Sequence, residues 1–307
     1  MLTLFFAGFI ALITILVILD LFVLNRKQHV IKIREALILS AVWVSLALAF
    51  NVLVYFMYGH NWLGFTDAFD TDLSGHDAAM YFFQAYLLEL SLSMDNLFVF
   101  ATILTFFRVP LENQHRVLVW GILGAVLLRG VMIGLGAALI HTFDWIIYIF
   151  GALLIITAIR MLMPGSDEIQ PERNIFIRFA RRLYPCTVGL HGSKFFVRIN
   201  GALHMTPMFL ALILVDIADV MFAIDSIPAA FGVFPPGQSD TFIVFTSNIV
   251  AIMGLRSMYF ALIGMMHKFR YLKPSIVLLL AFIGVKMLLP LFNAHWHIPN
   301  EASLAVI

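Results

Sequence analysis

Residues 87–100 read Leu-Leu-Glu-Leu-Ser-Leu-Ser-Met-Asp-Asn-Leu-Phe-Val-Phe, within an apolar run long enough to cross a bilayer. The run carries two carboxylates, Glu89 and Asp95, with Ser91, Ser93 and Asn96 beside them as oxygen donors. A carboxylate at the bilayer centre costs about 2.5–3.5 kcal/mol on insertion scales, so acids kept there point to function. A second stretch, residues 216–228, repeats the plan: Asp-Ile-Ala-Asp-Val-Met-Phe-Ala-Ile-Asp-Ser-Ile-Pro. Six residues separate Glu89 from Asp95, and six separate Asp219 from Asp225; Asn96 follows one acid and Ser226 the other. The two stretches are expected to face each other and hold a divalent cation.

Working outward, 62% of the 307 residues are hydrophobic and 12% are charged. Soluble domains carry about 25% charged residues, so the composition predicts an all-α polytopic membrane protein. A net charge of +1 gives no case for a nucleic-acid partner. The one cysteine, Cys186, excludes an internal disulfide and a multi-cysteine metal site, and reads as an inert structural thiol.

Eight spans fit the apolar runs: 2–24, 36–57, 80–106, 116–141, 143–163, 203–233, 240–263 and 275–293. The first lacks a positive region ahead of it and is followed by Asn25-Arg26-Lys27, so it reads as an uncleaved span. Fifteen of the nineteen basic residues fall in alternate loops, after spans one, three, five and seven. The positive-inside rule makes those loops cytoplasmic and puts both termini outside. The other four, Arg129, Arg160, Arg256 and Lys286, lie within spans. The exterior loop 58–79 holds Asp67, Asp70, Asp72, His76 and Asp77, an ordinary composition once basic residues are excluded. In the basic loop 164–202, Ile175, Phe176, Phe179 and Leu183 recur at helical spacing and predict a helix lying in the inner interface.

Both halves carry further matching landmarks. Ala-Val-Leu-Leu-Arg-Gly-Val (125–131) corresponds to Ile-Met-Gly-Leu-Arg-Ser-Met (252–258), and Ala-Ile-Arg-Met-Leu (158–162) to Gly-Val-Lys-Met-Leu (284–288). Three spans per repeat is an odd number, so the halves insert in opposite directions. The expected organisation is two N-terminal spans with the acidic loop (1–79), a first three-helix repeat (80–163), the basic loop (164–202), and a second, inverted repeat with an exterior tail (203–307). Inverted repeats recur in secondary transporters, with the ion site near the midplane on interrupted helices.

Six residues along an ideal helix turn the side chain by about 120°, so the paired acids of one helix do not converge. Convergence needs an unwound segment or partners from another helix. Pro228 favours unwinding, since it lacks an N–H and crowds the carbonyl four residues back. The expected ligand set is Glu89, Asp95, Asn96, Asp216, Asp219, Asp225 and Ser226, with Asp95 and Asp225 central. Arg129 and Arg256 are expected to pair with acids, with Lys286 assisting charge balance or proton coupling, while Arg160 and Lys286 sit near enough to span ends to snorkel. Two central arginines leave surplus carboxylates, which require protons or a cation. Oxygen donors of this kind suit Mg²⁺, Ca²⁺ or Mn²⁺. Met94, Met205, Met208, Met221 and Met253 read as packing residues, His204 as interfacial, and Asp20 as reaching the inner interface.

Glu-Leu-Ser-Leu-Ser-Met-Asp-Asn-Leu-Phe-Val-Phe (89–100), Phe-Ala-Ile-Asp-Ser-Ile-Pro-Ala (222–229), Thr-Ser-Asn-Ile-Val-Ala-Ile-Met-Gly-Leu-Arg-Ser-Met-Tyr-Phe (246–260) and Phe-Ile-Gly-Val-Lys-Met-Leu (282–288) resemble the TerC/Alx family of integral membrane proteins. The resemblance covers nearly the whole chain. It implies a bacterial inner-membrane protein tied to tellurium resistance and, for Alx-like members, manganese export. By matching position it implies that Glu89, Asp95, Asn96, Asp219, Asp225, Ser226 and Asn248 are the polar motif residues. Asp216 departs from the pattern, because many relatives have a glutamate there.

The expected function is therefore a secondary transporter moving Mn²⁺ outward in exchange for protons, with no enzymatic activity and no resident cofactor. A membrane aspartyl protease is the enzymatic alternative, but the Gly-x-Gly-Asp motif is missing. A non-transporting scaffold or metal sensor in a stress-response complex is the other alternative.

Overall fold

The structure, a computed structural model, describes residues 2–19, 33–69, 71–143, 145–163, 185–187, 189–199, 201–235, 238–263, 272–292 and 298–307. Asp20, Asp70 and the expected interfacial helix around 173–184 lie outside the described residues. The helices are α1 (Leu2–Leu19), α2 (Ile33–Gly59), α3 (Phe65–Phe69), α4 (Gly75–Phe106), α5 (Leu111–Thr142), α6 (Ile146–Leu162), α7 (Pro207–Phe231), α8 (Thr241–Ile263), α9 (Leu272–Phe292) and α10 (Asn300–Val306). Six of them, α2, α4, α5, α7, α8 and α9, are long and apolar enough to cross a membrane; α1 and α6 coincide with expected spans but offer shorter apolar stretches. The chain is an all-α polytopic membrane protein.

Local chemistry sets the helix ends. Ser74 caps α4 by accepting the Asp77 N–H at 3.1 Å, a Ser-x-x-Asp signal that starts the helix five residues before the expected span. The same helix ends in a paired 6→1 and 5→2 closure: Val109 N–H reaches the Leu104 carbonyl and Arg108 N–H the Thr105 carbonyl, both at 2.9 Å. Arg108 accordingly takes a left-handed φ of 51°, and Pro110 follows where the helix cannot continue.

Two expectations need correction. Span six does not begin at 203: residues Ala202–Met205 form a strand, β2, antiparallel to β1 (Phe196–Ile199), and α7 starts at Pro207. The overlooked signal was Asn200-Gly201 between short apolar segments, a two-residue hairpin turn that fits Gly201 at φ 80°. His204 therefore belongs to a strand. Nor does Pro228 unwind its helix, because α7 is continuous through it to Phe231. Pro228 forgoes its own bond to the Ile224 carbonyl, and the helix runs three residues beyond it, to Phe231.

In the bundle α4 packs against α2, α7, α8 and α9, α5 against α7 and α8, and α6 against α7 and α9. Two apolar clusters fill it. On α4 one takes residues up to Leu92 and the other begins at Leu97; on α7 one ends at Ala218 and the other begins at Ala223. Ser93, Asp95, Asn96 and Asp219 lie at the junction. The outer face is apolar, with Leu127, Leu278 and Phe292 at 70%, 71% and 82% exposure, as a lipid-facing surface requires.

Helices α6 and α9 meet through small residues. A Cβ on Gly284 would stand 2.9 Å from the Gly151 carbonyl oxygen, and one on Gly151 would stand 2.9 Å from Met287 Cβ. Backbone on one side and a Cβ on the other leave no room to yield. Gly284→Leu is therefore expected to destabilise the purified protein by about 1–3 kcal/mol, read as a lower melting temperature in detergent, whereas Leu278→Ala on the lipid face leaves it unchanged.

Candidate ion site

The deepest polar group is the guanidinium of Arg129 on α5, which is fully buried. It donates a two-pronged pair to Asp219 on α7, from Nε to Oδ2 at 3.0 Å and from Nη2 to Oδ1 at 2.8 Å. Nη1 donates to Glu89 Oε1 on α4, to Ser226 Oγ at 3.3 Å and to Asn248 Oδ1 at 3.5 Å. Ser93, one turn beyond Glu89, donates to the same carboxylate oxygen at 2.8 Å. Planar guanidinium and carboxylate groups match in this way because their donors and acceptors are parallel. Glu89 and Asp219 are 1% and 2% exposed, so each charge depends on these partners rather than on solvent. Glu89 Oε2 has no hydrogen-bond partner among the described residues.

The second acid of each six-residue pair points elsewhere. Asp95, Asn96, Asp225 and Ser226 line a cavity of about 620 Å³, together with Thr157 and Arg160 of α6. Thr157 Oγ1 donates to Asp225 Oδ1 at 2.8 Å. Asn96 is 2% exposed, and its Nδ2 has no hydrogen-bond partner among the described residues. Ser226 joins the two polar groups, since it touches Arg129 and also walls the cavity.

The seven expected ligands thus fall into three places. Glu89 and Asp219 are engaged by Arg129, while Asp95, Asn96, Asp225 and Ser226 share the cavity. Asp216 stands apart against α5, where its carboxylate lies over Gly124, within 2.9 Å of where a Cβ would be. The helical geometry accounts for this: α4 and α7 stay continuous, so residues six apart must diverge, and partners come from other helices. Among the described residues no three Asp, Glu, His or Cys side chains converge into a preformed metal cage. The cavity instead presents two carboxylates, the polar side chains of Asn96, Thr157 and Ser226, and Arg160.

The expected bases also separate. Arg256 is buried and borders a small space shared with Asp219. Lys286 does not snorkel; it is buried and its Nζ donates to the Val233 carbonyl at 2.7 Å, just past the C-terminus of α7, where a cation is favoured by the helix dipole. Sequence reasoning missed Thr157, although it directly precedes the 158–162 landmark, and the place of Arg160 in the cavity wall.

A buried polar belt inside a lipid-faced helical bundle defines an integral membrane protein with an intramembrane polar site. The chain belongs to the family described as "Integral membrane protein TerC family", which it matches over residues 74–307. It is 45% identical over 301 residues to a Myxococcus xanthus protein described as "Uncharacterized membrane protein STKORF319", covering 98% of this chain and 87% of that one. It is 42% identical over 305 residues to "Putative membrane-bound redox modulator Alx" of Photorhabdus laumondii, covering 99% and 91%. The Escherichia coli K12 protein of the same description is 41% identical over 305 residues, covering 99% and 90%. No solved structure matches the chain.

Arg129 is the residue whose removal costs most here. Arg129→Leu leaves two desolvated carboxylates uncompensated and is expected to cost about 3–5 kcal/mol, seen as lower accumulation and a lower melting temperature. Asp225→Asn, in the open cavity, is expected to melt as the parent does.

Proposed function

We propose that the protein is a secondary transporter that exports a divalent cation, Mn²⁺ ahead of Ca²⁺ or Mg²⁺, in exchange for protons. The observation that carries this reading is that Asp95 and Asp225, the matching acids of the two halves, line one cavity. Their carboxylates, with Asn96, Ser226 and Thr157, make an all-oxygen set suited to such cations. A second cavity of about 1010 Å³, with Asp72, Asp77, Asp240 and His141 in its wall, lies at the other end of α4. Asp77 and Asp95 are eighteen residues apart on that continuous helix, about 27 Å along its axis. Two cavities separated by a packed polar belt suit alternating access, in which one opens as the other closes.

The packing supports an inverted repeat of α4–α6 on α7–α9. Each helix contacts its counterpart, α4 with α7, α5 with α8 and α6 with α9. Cross contacts come in exchanged pairs: α4–α8 with α5–α7, and α6–α7 with α4–α9. A twofold relation requires such exchange. In this mechanism Asp95 and Asp225 take the cation through oxygen ligands. Glu89, with its unpartnered Oε2, holds the exchanging proton, and Ser226 relays the state of one group to the other. A relative described as a redox modulator fits a protein that sets the level of a redox-active cation.

Purified protein in proteoliposomes, with Mn²⁺ on one side and a pH dye inside, tests this directly. Mn²⁺ movement with opposite proton movement is expected, falling at least tenfold in Asp95→Asn and Asp225→Asn. Wild-type flux in Asp225→Asn would sink the assignment, and bound Mn²⁺ without flux would favour the sensor or scaffold reading.

The proposed setting is the bacterial inner membrane with both termini outside. In a Cys186→Ser background, Asp72→Cys is expected to react with an impermeant maleimide on intact cells. Lys194→Cys, equally exposed, is expected to react only after permeabilisation.

A further inference from the structure

Arg160 is one turn after Thr157 on α6, so the two side chains share a helix face. Thr157 holds Asp225 by its hydroxyl, and Arg160 lines the same cavity as Asp225 and Asp95. Arg160 is an exposed residue, and its side chain shares the cavity wall with Asp225. This differs from Arg129, which is fully buried and bonded on all sides. A guanidinium stays charged at any pH at which the protein functions, so Arg160 leaves a carboxylate only by swinging away. The cavity therefore contains a permanent cation on a flexible stem beside the acids that would receive the cargo.

We propose that Arg160 is a tethered counter-cation that balances Asp225 when cargo is absent and is displaced when a divalent cation enters. The inference rests on the transport reading above and concerns how that site is tuned. Cation entry becomes an exchange of one positive charge for another, so the acids are not left bare in a low-dielectric wall. The returning guanidinium also weakens the hold on the departing ion. Arg160 acts through Asp225 and is thus a positioning residue for the cargo.

Mn²⁺ titration of purified full-length protein, followed by calorimetry, tests this. Arg160→Gln is expected to bind Mn²⁺ about tenfold more tightly than wild type, because a competing charge has been removed. Arg160→Lys is expected to stay within about threefold of wild type, since it keeps the charge. In proteoliposomes Arg160→Gln is expected to lower both KM and kcat, as entry becomes easier and release slower. A matching melting temperature for the variants and wild type separates this from misfolding. Wild type that binds Mn²⁺, with Arg160→Gln binding equally or more weakly, overturns the inference alone. If neither protein binds Mn²⁺, the cargo reading fails and takes this inference with it.

Discussion

The buried bonds from Arg129 to Glu89 and Asp219 are the constraint on which the rest of the bundle depends. They tie α5 to α4 and α7 at the junction of the two apolar clusters, where no solvent reaches any of the three groups. Each group alone would be expensive in that position, and together they are stable only if all three helices keep their register. A buried ion group of this kind contributes little net stability compared with an apolar core of the same volume. Its contribution is specificity, because a slip of α4 or α7 by one residue would bare a charge.

That constraint also divides the acids. With Glu89 and Asp219 turned toward Arg129 on unbroken helices, Asp95 and Asp225 must face away, toward α6 and the cavity. The same sequence interval thus places one acid of each pair on Arg129 and the other in the cavity wall. Ser226 sits between the two populations, bonded to Arg129 and open to the cavity. Thr157 and Arg160 then set the environment of Asp225 from the α6 side. This placement makes charge balance, rather than a rigid coordination cage, the organising chemistry of the site.

Close helix approach at Gly151 and Gly284 keeps α6 seated on α9 beside the cavity. At seventeen residues α6 is about 26 Å long, shorter than the roughly 30 Å hydrocarbon thickness, so its ends are held by neighbours rather than by both interfaces. Lys286 shows a related economy: it completes the end of α7 by bonding Val233 rather than reaching water.

Sequence alone was enough for the membrane class, the family and most helix positions to within a few residues. It was enough because apolar run length and an intramembrane charge are local facts, written in consecutive residues. Even the missed hairpin at 196–205 and the early start of α4 had local signals, Asn200-Gly201 and Ser-x-x-Asp. Only the tertiary structure decided which acids are taken by Arg129, that Pro228 leaves α7 unbroken, and that Lys286 is buried. It also decided that Thr157 and Arg160 join Asp225 in the cavity. These outcomes depend on which helix faces which and at what height, and the energy of a buried charge is set by neighbours tens of residues away in sequence. No window of sequence contains that information, because the partners meet only when the helices pack.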